Sequence, residues 1–124
     1  MLGRLGKISM KHKPAEILIR TVAREDILRQ YSYYLVEKGA PAAAQRFLDS
    51  VQSATERICK APGMGAPKIL GNPTLAGLRS WPVAGFPAMR IYYLCAGNVV
   101  RVVRVLHGKR DITALLEKET TGEE

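Results

Sequence analysis

A chain of 124 residues with 47% hydrophobic and 24% charged residues has the make-up of one folded domain, which excludes wholesale disorder and leaves too little chain for two independent cores. Nineteen Lys and Arg against eleven Asp and Glu give a formal charge of +8, which favours polyanions or an acidic protein partner by long-range attraction, or serves only to keep a small domain soluble. The cysteines Cys59 and Cys95 form no C-x-x-C pair and read as reduced, buried thiols, and with no apolar run near the roughly 20 residues of a membrane span and no secretory stretch at the start, a cytoplasmic protein is expected.

Residues 1–13, MLGRLGKISMKHK, hold five basic residues counting His12, no acidic ones and no helix or strand period. They read as a disordered basic tail, with Met10 an alternative start. The run EILIRTV, Glu16 to Val22, is β-branched and apolar and predicts a first strand. Ala23, Ile27, Tyr31, Tyr34 and Leu35 then recur every three or four residues, an amphipathic helix stopped by Gly39. Pro41 opens a second helix whose apolar stripe is Ala44, Phe47, Leu48, Val51, Ala54 and Ile58, so Lys38-Gly39-Ala40 closes an antiparallel helical hairpin.

Pro62, Gly63, Gly65, Pro67, Gly71 and Pro73 punctuate the next stretch too densely for any regular element. Three strands follow, Gly77 to Val83, Ala88 to Ala96 and Val99 to Leu106, the last two joined through Gly97-Asn98 in a tight hairpin. The two-residue period puts Met89, Ile91, Tyr93 and Cys95 on one face of the middle strand and Arg90, Tyr92 and Leu94 on the other, with one face as core. Asp111 is placed to cap a short helix from Ile112 to Lys118, and residues 120–124 should fray. The expected domain spans 14–119 and is α+β: two layers, an N-terminal strand and helix hairpin packed on a mostly antiparallel sheet, with a short C-terminal helix.

Chemistry is sparse. His12 lies in the tail and His107 at a strand end, so no Ser or Cys triad is apparent, and two histidines with two separated cysteines make a poor metal shell. No catalytic residue, metal or cofactor is assigned. Arg79, Arg90, Arg101, Arg104, Lys109 and Arg110 concentrate cations in the second half, as a basic face or as solvated strand positions. Arg79 and Arg110, flanked by loops and glycines, are the better functional candidates. Trp81 reads as core beside Phe86 with its N–H satisfied locally, His107 as a partner for backbone groups, and Gly108 as a residue at an unusual backbone angle.

Several motifs agree in order with one family. Leu78-Arg79-x-Trp81-Pro82-Val83-x-Gly85-Phe86, Ile91-Tyr92-Tyr93 and Arg104-Val105-Leu106-His107-Gly108-x-Arg110-Asp111-Ile112 resemble a ParE toxin of the RelE/ParE superfamily. Ala23-x-x-Asp26-Ile27, Gly39, Ala44-x-Arg46-Phe47 and Pro62-Gly63-Met64-Gly65 fit as well, so the resemblance covers about residues 16–117. It implies the toxin of a type II toxin–antitoxin module, a device of plasmid or chromosomal stabilisation. It further implies a hetero-oligomer with a ParD-like antitoxin and DNA gyrase as target, through binding rather than catalysis.

The alternatives are a RelE-like ribosome-dependent messenger ribonuclease and a non-toxic antitoxin-binding relative. Arg90 and Arg110 stand where the ribonuclease branch has functional arginines, but its lysine pair falls near Trp81 and Val83 and its C-terminal tyrosine near Leu116. Loss of general acid and base groups costs on the order of a hundredfold each, which disfavours the ribonuclease. The residues expected at the target or antitoxin interface are Arg79, Trp81, Arg90, Arg104, His107, Arg110, Tyr31 and Tyr34.

Overall fold

The computed structural model of the chain describes residues 14–110 and 112–118, so the basic tail, the Asp111 cap and the fraying end lie outside the described residues. Strand β1 is Glu16–Ile19, shorter than the apolar run suggested. Arg20 is extended, its N–H bonds the Val102 carbonyl at 3.1 Å, and Arg24 N–H returns to the Arg20 carbonyl at 3.0 Å. Thr21 and Val22 therefore enter helix α1, Thr21–Ser32, because packing outranks the weak strand preference of two β-branched side chains.

The last turn of the first helix widens into a π-helical segment, Tyr33–Glu37, in which Lys38 N–H reaches the Tyr33 carbonyl at 3.0 Å. Gly39 then takes φ 56°, a left-handed angle that lets Ala40 N–H bond the Tyr34 carbonyl at 2.9 Å. Helix α2, Pro41–Lys60, starts with proline where a missing N–H costs nothing and buries Ala44, Phe47, Val51, Ala54, Ile58 and Cys59.

Against the expectation that no regular element survives there, the Pro and Gly stretch holds two 3-10 turns, Pro62–Met64 and Pro73–Leu75, and a two-residue strand β2, Ala66–Pro67. Each turn begins on a proline whose fixed φ suits it, and Asn72 accepts the Thr74 N–H at 2.9 Å. Strands β3 (Arg79–Val83), β4 (Phe86–Ala96) and β5 (Val99–His107) and helix α3 (Ile112–Lys118) complete the fold.

The sheet order is β1-β5-β4-β3-β2, antiparallel throughout except for the parallel pair β1 and β5. One cluster, Phe47, Val51, Ala54, Ile58, Ile91, Tyr93, Val100 and Val102 among others, joins the helical hairpin to the sheet. The other sheet face is also core, contrary to the single-face reading: Tyr92, Val103 and Leu106 pack with Leu75, Leu78, Ile112 and Leu116. The strand period reads alternation but not what covers each side. Cys95 is exposed rather than buried, since it lies near the Gly97 turn with Sγ 3.7 Å from the Gly97 carbonyl; Cys59 is buried, and both thiols are free.

Two polar knots fix these layers. Between the Tyr92↔Arg104 and Tyr93↔Val102 pairs the register slips, leaving Val103 as a bulge in β5. β1 pairs only as far as Val102, so the outer edge of β5 beyond it lacks a strand. Asp26 of α1 takes that place: its Oδ2 accepts Val105 N–H at 3.0 Å and Arg104 Nε at 2.7 Å, and its Oδ1 accepts Arg104 Nη2 at 2.8 Å. Both side chains are buried, Asp26 at 3% exposure and Arg104 at 6%. Arg104 is thus neither a solvated strand cation nor part of a basic face. Asp26→Ala should cost about 3–5 kcal/mol in urea unfolding, while Asp26→Leu with Arg104→Met should recover only part of it, since the Val105 N–H is left without an acceptor at about 1–3 kcal/mol; a single-variant loss below about 1 kcal/mol would deny the pair this role.

The second knot is Tyr93, whose hydroxyl donates to the Pro62 carbonyl at 2.7 Å and accepts Gly65 N–H at 3.0 Å. A Cβ at Gly65 would collide with that hydroxyl and lie 2.9 Å from two ring carbons, so only glycine passes there. Burial raises the pKa of Tyr93 above 10.0, with the Gly65 N–H and Arg79 opposing and Cys95 adding to it; burial likewise raises Tyr92, against the pull of Arg90. Burial first, then Cys95, raises Cys59 above 9.0. Each group ionises first in the unfolded chain, so the stability it contributes is whole below its ordinary value and is lost as pH climbs through the raised one. The urea midpoint should fall as pH rises past about 9 to 10; an unchanged midpoint at about pH 11 would contradict this.

Candidate functional site

The eight residues expected at an interface fall into separate places. On β3, Arg79 is half-buried and its Nη1 donates to the Gly65 carbonyl at 2.7 Å, so together with Tyr93 it pins the loop before β2. Lys68 N–H bonds the Leu78 carbonyl at 2.8 Å and carries the loop past the start of that strand. Trp81 is half-buried against the hairpin core and lines an open recess of about 420 Å³ with Asp49, Ser50, Ser53 and Arg57 of α2. Its indole N–H has no hydrogen-bond partner among the described residues, against the local satisfaction expected of it. Arg90 is tied across the sheet, Nε donating to the buried Ser80 hydroxyl at 2.9 Å.

Gly108 is not at a positive φ, so the expected unusual angle is absent. It lies at a close approach: its N–H bonds the Ala88 carbonyl at 2.7 Å, and an added Cβ would sit 3.3 Å from Arg90 Cδ, so that side chain would have to give by a few tenths of an ångström. This contact brings the chain after β5 back beside β4 and sets where Lys109 and Arg110 emerge.

The other candidates meet where the C-terminal end of α1 passes the end of β5. Tyr34 is half-buried in an aromatic cluster, its ring centroid 5.8 Å from Phe47 and 5.3 Å from Phe86. With Gln30, Tyr33, Lys38 and His107 it lines an open recess of about 360 Å³. A smaller hollow beside it is lined by Asp26, Arg29, Gln30, His107 and Arg110, among others. His107 is exposed, and among the described residues its imidazole has no backbone partner, against the expectation for it. Tyr31 is half-buried and lines neither recess.

Tyr33, Gln30, Arg29 and Lys38 were not singled out by the sequence. Tyr33 falls off the apolar stripe of α1, which was legible, but its place beside His107 depends on the π-helical turn and on a strand seventy residues further on. Leu28 is 61%, Leu35 38% and Val36 68% exposed, an apolar stripe on the outer side of α1 and its π turn. No helix among the described residues is long and apolar enough to cross a membrane.

Compared with known families, residues 17–112 match the ParE toxin of the type II toxin–antitoxin system, parDE. The chain belongs to the ParE toxin family. No curated protein matches it. Among solved structures it is similar to a chain of the chromosomal ParDE TA system from P. aeruginosa, with a TM-score of 0.60 at 16% identity, covering 75% of this chain and 95% of that one. At that identity the likeness speaks for the fold.

Within this ParE chain, Arg104 supports the framework, whereas Arg110 is an exposed cation. Leu116 is 1% exposed in the second core. Arg79 is given a definite structural duty, so Arg79→Met should loosen the 62–78 loop: amide exchange at Lys68 should quicken about tenfold, the worth of one hydrogen bond. Unchanged exchange there would show that Tyr93 holds the loop alone.

Proposed function

We propose that this protein is the toxin of a type II toxin–antitoxin module, neutralised by a ParD-like antitoxin in a hetero-oligomer, and that it inhibits DNA gyrase by binding. The family match over residues 17–112 carries the reading. The apolar stripe Leu28, Leu35 and Val36 supports the antitoxin half, since an amphipathic segment folding onto the hairpin would cover it and place its acidic residues near the cations of a chain at +8. The gyrase half is supported by the ParE resemblance, in which the lysine pair of the ribonuclease branch falls near Trp81 and Val83 and its tyrosine near Leu116.

Of the expected interface residues, Arg110 and His107 are exposed, and Tyr31, Tyr34, Arg79, Trp81 and Arg90 are half-buried. Arg104 contributes by holding the end of β5 in place. The deciding experiment is gyrase supercoiling and DNA cleavage with purified toxin, with and without antitoxin. Inhibition reversed by the antitoxin is expected. No inhibition at excess toxin would overturn the gyrase reading, and cleaved messages on ribosomes would replace it with the ribonuclease. Leu35→Lys with Val36→Lys should weaken antitoxin binding about a hundredfold or more, because two buried aliphatic side chains each contribute about 1.5–3 kcal/mol; unchanged affinity would move the antitoxin off this stripe.

A further inference from the structure

Three features have no occupant assigned to them above: the Trp81 recess, the exposed tip of the loop at Met64 and Ile69, and the shelf between α1 and the end of β5. The shelf is the one whose chemistry names an occupant. Its floor is the Tyr33 ring, 41% exposed and braced edge-on by Tyr34, with centroids 5.5 Å apart and planes at 65°. Lys38 is exposed, and its Nζ lies over the Tyr33 ring 5.8 Å from the centroid, near the outer limit of a cation–π contact.

Gln30 and His107 form the wall shared with the neighbouring hollow, and Arg29 and Arg110 stand beyond it, both exposed. The one carboxylate lining either hollow is Asp26, and it is already engaged by Arg104, by Val105 N–H and by Arg29 at 3.3 Å. Lys38, Arg29 and Arg110 are exposed cations around the shelf, and Glu37, the nearest acid in sequence to Lys38, lines neither hollow.

We infer that this shelf binds a single strand of nucleic acid, one base stacking on Tyr33 and successive phosphates meeting Lys38, Arg29 and Arg110. A part-exposed aromatic ring beside exposed cations is the arrangement that single strands favour: every base has a face to stack, and each phosphate released from its counterions adds affinity. Gln30 and His107 supply hydrogen-bonding groups for a base edge or sugar at the back of the shelf. An acidic peptide would satisfy the cations but has no reason to require an aromatic floor. The inference stands on the shelf alone and does not need gyrase to be the target.

The test is fluorescence anisotropy of labelled dT12 and rU12 with the full chain across a salt series. Binding should weaken with salt with a logarithmic slope of about −2, as for three phosphates at about 0.7 each, and Lys38→Ala should reduce the slope by about 0.7. Tyr33→Leu should weaken binding about tenfold while Tyr33→Phe restores it, since stacking needs the ring and not the hydroxyl. Both positions are exposed, and circular dichroism verifies that the variants fold. Lys60→Ala, an exposed cation at the far end of α2, should change nothing beyond scatter.

A preference for dT12 or for rU12 assigns the strand as DNA or RNA. No binding at about 50 mM salt, or equal affinity for Tyr33→Leu and Tyr33→Phe, overturns the inference. Displacement by a 12-residue polyglutamate peptide as effectively as by unlabelled dT12 also overturns it, in favour of an acidic protein partner.

Discussion

The contact on which the rest of the molecule depends is the junction of Asp26 with Arg104 and the Val105 N–H. Sequence separation of 78 residues makes it a long-range tie, and it forms where β1 stops and leaves the edge of β5 open. A carboxylate on a helix here replaces a strand, accepting the amide that a neighbour would otherwise have taken. Desolvating two charges offsets most of their attraction, so the pair gains its value from geometry: it admits one rotation of α1 about its axis and one height along β5. That setting turns Leu28, Leu35 and Val36 outward and brings Tyr33 alongside His107.

The sheet is a wall shared by two cores. The hairpin covers one face, and the proline-rich loop with α3 covers the other, so a chain of this length buries both sides of β4 and β5. The loop has little regular structure of its own and is held by the Tyr93 hydroxyl and the Arg79 guanidinium, which between them bond Pro62 and both backbone groups of Gly65. Buried Tyr93 spans from the first core to that loop, and the same burial that raises its pKa makes the attachment sensitive to alkali.

Net charge conceals a division of labour among the cations. Arg104 is buried in an ion pair, Arg79 is bound to a backbone carbonyl and Arg90 to a buried serine hydroxyl, so these three act largely inside the structure. Arg29, Lys38, Lys109 and Arg110 remain exposed near the end of β5 or the hairpin turn. An excess of positive charge read from composition therefore identifies a class of partner but not the surface that meets it.

The sequence by itself determined the helical hairpin, the C-terminal strands and their antiparallel order, because local periodicity, Pro41 at a helix start, Gly39 at a helix end and Gly97 in a tight turn are short-range signals. It also carried the family, through motifs spaced along most of the chain. Only the tertiary structure decided that both faces of the sheet are core, that Arg104 is structural, that Gly108 serves close approach and that Tyr33 rather than Tyr31 lines the shelf. Those outcomes turn on which distant elements meet, on one bulge at Val103 and on one π-helical turn, and none of these leaves a periodic trace in a single sequence.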